Sequence, residues 1–219
     1  MSPSSCKIVV LISGTGTNLQ ALIDACGAGE IPGQIVAVIG NRPGAGGLER
    51  ARRAGIPAEC LDHRDYATRE AFDQALMQVI DRYAPDLVCL AGFMRILTPA
   101  FTTHYLGRML NIHPSLLPDY RGLHTHARAL ADGVREHGAS VHFVTPDLDG
   151  GPVVVRVRVP VHADDTPETL AARVLEQEHR LYPAATTWFC AGRLKLNAGR
   201  VILDGAPLDH PLELTEVPA

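Results

Sequence analysis

Residues 8–12, 35–39 and 87–90 form three unbroken apolar runs. Runs of this length without alternation read as strands buried on both faces, as in a parallel sheet covered by helices. Helical spacing fills the gaps between them. Leu19, Leu22, Ile23 and Cys26 recur at i, i+3, i+4 and i+7. Phe72, Leu76, Val79, Ile80 and Tyr83 do the same before Pro85 stops the pattern. Strand and helix therefore alternate through the first half, which predicts a Rossmann-like, doubly wound α/β sheet, mostly parallel. The second half changes period. Val141, Phe143 and then Val153, Val155, Val157, Val159 and Val161 alternate with polar positions, which predicts a half-exposed antiparallel pair with a free edge at Pro160. A long helix is expected from Thr166 and Pro167, kinked or ended by Pro183. Residues 194–196 and 201–203, joined through Asn197, Ala198, Gly199 and Arg200, read as a terminal hairpin. No linker, repeat or low-complexity tract interrupts the chain. One domain over 1–219 is expected, with a phosphate-binding half at about 6–105 and a catalytic half at about 106–219.

Composition narrows the function classes. The chain has 219 residues, 46% of them hydrophobic, which excludes a disordered protein. A net charge of −4 without a basic block argues against binding nucleic acid through an electrostatic stripe. No apolar run approaches the roughly 20 residues of a membrane helix, and the N-terminus lacks a signal-peptide core. Five cysteines, at 6, 26, 60, 89 and 190, are scattered and never form a C-x-x-C pair. They read as free thiols in a reduced, cytoplasmic compartment.

Chemistry concentrates at four places. Ser13-Gly14-Thr15-Gly16-Thr17-Asn18 lies between the first strand and the first helix, where backbone amides relieved of side-chain bulk can hold an anion. Leu19 stands where a dinucleotide fingerprint needs glycine, and no lysine completes a Walker loop. The loop suits a single phosphate, with Thr17 and Asn18 as added donors, or is a plain tight turn. Asn111-Ile112-His113-Pro114 follows a short apolar segment, so an amide and an imidazole share one side of a strand end. An amide can donate to an oxyanion, and an imidazole can also carry a proton near neutral pH. Asp147-Leu148-Asp149-Gly150-Gly151 either serves a sharp turn or aims a carboxylate at His113. Phe93-Met94-Arg95-Ile96-Leu97 is either corner packing or the lining for a flat ligand. His124 and His126 read as a polar loop over a cleft more readily than as metal ligands. His104, His137, His162 and His210 read as surface histidines.

These pieces resemble the phosphoribosylglycinamide formyltransferases, the folate-dependent family of purine synthesis. The resemblance covers residues 8 to about 203. It rests on the stretches 11–20, 90–97, 111–118, 122–126 and 147–152, in the family's order. It implies attack of a glycyl amine on the formyl carbon of 10-formyltetrahydrofolate, through a tetrahedral oxyanion and without a metal. By position, Asn111 would donate to the oxyanion, His113 would stabilise or protonate it, and Asp149 would support that charge and help move the amine's proton. Gly16, Thr17, Asn18 and Glu178 would hold the ribonucleotide, glycinamide ribonucleotide. Arg69, Met94, Arg95, Ile96, Leu97, Asn111, Val144 and Asp149 would hold the folate, with Arg69 toward its glutamyl tail and 144–149 closing over it. Arg121 departs from the pattern, standing where proline often precedes Gly122. The oligomeric state is left between monomer and homodimer.

Three rivals remain open at this stage. A formyltetrahydrofolate deformylase normally carries an extra N-terminal domain, and few residues precede the first strand here. A methionyl-transfer-RNA formyltransferase carries a basic C-terminal domain, and this chain ends soon after the hairpin. A non-catalytic phosphate sensor would explain the glycine loop but not Asn111, His113 and Asp149 together.

Overall fold

The computed structural model describes residues 5–215. In chain order the elements are β1 (Cys6–Ile12), α1 (Thr17–Gly27), β2 (Gly33–Gly40), α2 (Gly46–Arg53), β3 (Ala58–Cys60), α3 (Arg69–Asp81), β4 (Leu87–Leu90), α4 (Pro99–His104) and β5 (Met109–His113). There follow α5 (Thr125–Ala131), β6 (Glu136–Phe143), β7 (Val153–Pro160), α6 (Pro167–Cys190), β8 (Leu194–Asn197), β9 (Arg200–Leu203), β10 (Ala206–Pro207) and β11 (Leu212–Glu213). Eight strands form one mixed sheet in the order β11-β7-β6-β5-β4-β1-β2-β3. Strands β1 to β5 are parallel neighbours, whereas β6 runs antiparallel to both β5 and β7. The strands β8, β9 and β10 make a separate antiparallel sheet. The expected α/β sheet, mostly parallel with an antiparallel C-terminal portion, is therefore what the chain forms.

Alternation within β1 shows how the two faces are filled. Ile8, Val10 and Ile12 join the cluster with Leu19, Leu22, Leu48, Leu181 and Tyr182, under α1, α2 and α6. Val9 and Leu11 join Phe72, Leu76, Ile80 and Phe101, under α3 and α4. All five β1 residues are fully buried, each such aliphatic side chain contributing about 1.5–3 kcal/mol relative to exposure. The strand order reverses between β1 and β4, since α1 leads away to β2 while α3 returns to β4 on the other face. In open α/β sheets a crevice opens outside the strand ends at that reversal.

Three expectations for the second half need correction. Helix α6 does not end at Pro183 but continues to Cys190. Proline removes one intrahelical hydrogen bond, and here the helix is held on both flanks by α1 and by the sheet. The edge of β7 is covered at Val155 and Arg156 by pairing with Leu212 and Glu213. Strand β6 is central rather than half exposed, so its seven residues from His137 to Phe143 are buried, His137 among them. A histidine in a polar-looking stretch reads as surface, but neighbours on both sides bury it. It packs edge-on against His126 at 5.2 Å and Tyr120 at 5.8 Å, and burial pushes its pKa down to about 4. Thr166 caps α6 as expected, with its hydroxyl accepting from Thr169 N at 3.3 Å. The expected hairpin forms as β8 and β9, with Asn197 and Arg200 paired and Ala198 and Gly199 left at the turn.

Crowding at β6 gives a direct stability prediction. A methyl group at Gly138 would lie 1.9 Å from the Val157 carbonyl oxygen, on the backbone of the neighbouring strand. Gly138→Ala should therefore destabilise by about 3 kcal/mol, read as a lowered chemical-denaturation midpoint.

Candidate active site

The β5–β6 register creates the site. Leu110 and Ile112 of β5, with Val141 and Phe143 of β6, face α6. Alternation turns the residues between them to the opposite face, and pairing sets Asn111 across from His142 and His113 across from Ser140. Helices α3 and α4 cover the first four strands on that face but stop short of this polar quartet. A register shift between Val141 and His142 in the β6–β7 ladder sits at the rim, where such irregularities commonly re-aim side chains.

Donor and acceptor roles follow from the partners. His142 Nδ1 lies 2.9 Å from the Phe143 carbonyl, which can only accept, so Nδ1 carries the hydrogen. Its Nε2 then accepts from Asn111 Nδ2 at 3.1 Å. Burial pushes the His142 pKa down to about 4, consistent with a neutral ring in that tautomer. Asn111 is thereby fixed, with its remaining amide hydrogen and oxygen free to face the cavity. His113 Nε2 donates to the Tyr120 carbonyl at 3.0 Å, and its Nδ1 lies 3.5 Å from Asp149 Oδ2. Both ring nitrogens thus face acceptors, the partner set of an imidazolium. His142 was not anticipated from the sequence. The signal was present, since the residue between inward-facing Val141 and Phe143 must face the Asn111 side.

Asp149 reaches the pair from the loop after β6. Its backbone is left-handed, with φ of 47°, a conformation that aspartate tolerates better than most side chains. Its Oδ2 accepts from Gly122 N at 2.9 Å, and its Oδ1 lies 3.7 Å from His142 Nε2. Arg121 donates to Asp147 Oδ2 at 2.9 Å. The two loops that cross the site, 119–124 and 145–149, are thus joined at two points, one of them made by the residue that departs from the family pattern. Beneath them is a cavity of about 90 Å³ lined by Phe93, Arg95, Ile96, Leu97, Asn111, His142, Val144 and Asp149, among others. Met94 and Arg69 do not line it. The Met94 side chain is 60% exposed, while its backbone N–H donates to Ser13 Oγ at 2.7 Å. Arg69 opens α3 and lies beside Glu70.

The glycine loop follows β1, and through Ser13 it is bonded to the segment after β4. Gly16 is left-handed, with φ of 74°, and caps α1 without any side-chain hydrogen bond, leaving the first-turn amides of α1 available to an anion. A β-carbon on Gly16 would also meet Gly47 Cα at 2.6 Å. A bulky residue there would distort the loop itself, beyond blocking a phosphate. Arg50 donates to the Thr15 carbonyl at 2.9 Å, placing a cation beside the loop. The Asn18 side-chain amide donates one hydrogen to Glu178 Oε2 at 2.7 Å, which leaves its second amide hydrogen and its backbone N–H for an anion. Thr17 and Arg50 line a groove of about 720 Å³ between α1 and α6, which is larger than the cavity at Asn111 but is lined by none of Asn111, His113 and Asp149. Among the described residues no group of three His, Cys, Asp or Glu side chains could hold a metal ion, and no helix is long and apolar enough to cross a membrane. All five cysteines are free thiols, with Cys60 exposed.

Residues 6–186 match the formyl transferase family model. The chain belongs to that family. It is 57% identical to the phosphoribosylglycinamide formyltransferase of Escherichia coli over 202 residues, spanning 92% of this chain and 95% of that one. It is 47% identical to the Haemophilus influenzae protein of the same name, with the same coverage. The solved phosphoribosylglycinamide formyltransferase from Coxiella burnetii, in complex with CHES, superposes with a TM-score of 0.91 at 52% identity, covering 96% of this chain and 99% of that one.

Glu178 makes the site's electrostatics testable. It is 6% exposed, and burial raises its pKa from the ordinary 4.5 to about 7, partly opposed by the Asn18 hydrogen bond. The folded state then holds this proton to higher pH than the unfolded chain. Its contribution to stability is full below pH 4.5 and is lost as pH rises through about 7. Glu178→Gln removes that loss, so the variant should gain up to about 3 kcal/mol on its parent between pH 5 and pH 8, read by urea denaturation at each pH. A constant difference across that range would contradict the assignment.

Proposed function

We propose that the chain transfers the formyl group of 10-formyltetrahydrofolate to the amine of N1-(5-phosphoribosyl)glycinamide, a formylation in purine synthesis. The observation that carries this reading is the convergence of Asn111, His113 and Asp149 at the cavity walled by Phe93, Ile96 and Leu97. The family and its named relatives support the same activity. We read the whole chain as one catalytic unit. Its five free thiols fit a reduced cytoplasmic setting.

The residues divide the work as follows. The loop of Gly16, Thr17 and Asn18 takes the ribonucleotide phosphate on backbone N–H groups, with the Arg50 charge nearby. Glu178, tied to Asn18, sits on the same side, toward the sugar. The folate enters the cavity walled by Arg95, Ile96, Leu97 and Val144. That cavity holds about 90 Å³, well below the roughly 300 Å³ at which pockets for drug-sized ligands begin. The 145–149 loop therefore moves outward to admit the ring and closes again over it. Arg69 lies further out, where a flexible guanidinium can meet the glutamyl tail.

At the reacting centre the amine nitrogen bonds to the formyl carbon, and the carbonyl oxygen becomes an oxyanion. The Asn111 amide, held in place by neutral His142, donates to that oxyanion. Pre-set donors of this kind stabilise the transition state by about 3–4 kcal/mol each. His113, backed by Asp149, adds positive charge and a proton. Asp149 takes the proton that the amine releases, through water. The intermediate then collapses by breaking the bond from carbon to the folate nitrogen, which leaves protonated. No covalent enzyme intermediate is required.

Asp149→Asn should lower turnover by about 10²-fold or more while both substrates still bind. Near-normal turnover would sink the role given to this carboxylate. Mixing the protein with 10-formyltetrahydrofolate, with and without the ribonucleotide, tests the reaction as a whole. Formyl loss that depends on the ribonucleotide is expected. Loss without it indicates a deformylase, and no loss in either arm indicates a phosphate sensor.

A further inference from the structure

Asp73 lies outside every motif discussed so far. It sits on α3, facing the sheet, and is 1% exposed. A buried carboxylate costs stability unless its oxygens are satisfied. One of them is, since Oδ2 accepts from the Thr98 backbone N–H at 2.6 Å. The other, Oδ1, has no hydrogen-bond partner, and neither does the buried Nε of Arg95. Burial raises the Asp73 pKa, opposed by its hydrogen bonding to Thr98 and by the Arg69 and Arg95 charges, and the Arg95 guanidinium lies 5.8 Å over the ring of Phe72, the residue before Asp73. Thr98 continues the connection toward the cavity. Its carbonyl accepts from Thr102 Oγ1 at 3.2 Å, and Thr102 lines the cavity together with Arg95, Ile96 and Leu97.

The wall segment 94–98 is therefore fastened at both ends by side chains from other elements. Ser13 holds the Met94 N–H at one end and Asp73 holds the Thr98 N–H at the other. Between these two points Ile96 is 56% accessible, Arg95 and Leu97 are half-buried, and all three line the cavity.

We infer that Asp73 is a positioning residue for folate recognition: it sets the height of the 95–98 wall through its hydrogen bond to Thr98. This rests on the reading that the cavity takes the folate. Asp73 itself touches neither substrate. Its loss leaves the glycine loop and the Asn111, His113 and Asp149 constellation in place, since neither is bonded to it.

The test is steady-state kinetics on the full chain with both substrates varied. Asp73→Ala should raise KM for 10-formyltetrahydrofolate by about tenfold, with kcat and the ribonucleotide KM within about twofold of the parent. Asp73→Asn keeps an oxygen for the Thr98 N–H but removes the charge that strengthens the bond. It should give a smaller rise of about threefold, again for folate alone. Should the alanine variant fail to fold, the asparagine variant decides. A folate KM equal to the parent's, or equal rises for both substrates, overturns the inference. So does a lowered melting temperature with both KM values unchanged, which is the mark of a structural role only. Ile96→Trp, which crowds the cavity mouth, separates this outcome from failure of the pocket reading. If Ile96→Trp raises the ribonucleotide KM instead of the folate KM, the pocket is misassigned. If it raises the folate KM while the Asp73 variants do not, only the role of Asp73 falls.

Discussion

The hydrogen bond from Asn111 to His142 across β5 and β6 is the contact on which the site depends. It needs a central antiparallel strand, because only that register sets residue 111 opposite residue 142. It also needs a neutral His142, which burial provides. A protonated ring would have no lone pair for the amide, and Asn111 would lose its fixed orientation. Burial here decides the protonation state, and the protonation state decides which way a donor points.

Around that contact the molecule brings three kinds of surface to one end of the sheet. Parallel strands β1, β4 and β5 all finish on the same side, so the segments that follow them lie together. The segment after β1 supplies unpaired backbone donors, the one after β4 an apolar wall, and β5 itself the amide and imidazole. The Asp149 loop, closing from β6, brings the carboxylate that none of these can supply. Ser13 and Asp73 then tie the wall to its neighbours, so that its position is set by the scaffold. Arg121 and Asp147 form an exposed ion pair between the crossing loops. Such pairs contribute little energy, so the two loops are held chiefly by the Gly122–Asp149 bond.

Much of this was legible in the chain. Unbroken apolar runs separated by helical spacing indicate a covered parallel sheet because both faces of each strand must be buried. Asn111, His113 and the glycine loop were readable because strand alternation and glycine between strand and helix have few physical uses. The misreadings share a cause. Pro183 read as a kink or an end of the helix, and it is not an end, because flanking contacts override a single missing hydrogen bond. His137 looked like a surface residue, and His142 passed unremarked, because position in the sheet depends on strand order, which local sequence does not carry. The bond from Asn18 to Glu178 spans 160 residues, so no local pattern could show it.

The sequence alone determined the elements, their alternation and the residue types able to do carbonyl chemistry, since these depend on spacing within about ten residues. The tertiary structure decided which polar residues meet and in which protonation state. Tautomers, burial and the Asp73–Thr98 tether arise from contacts between distant segments. Desolvation is a property of the packed whole, and no local window of sequence contains it.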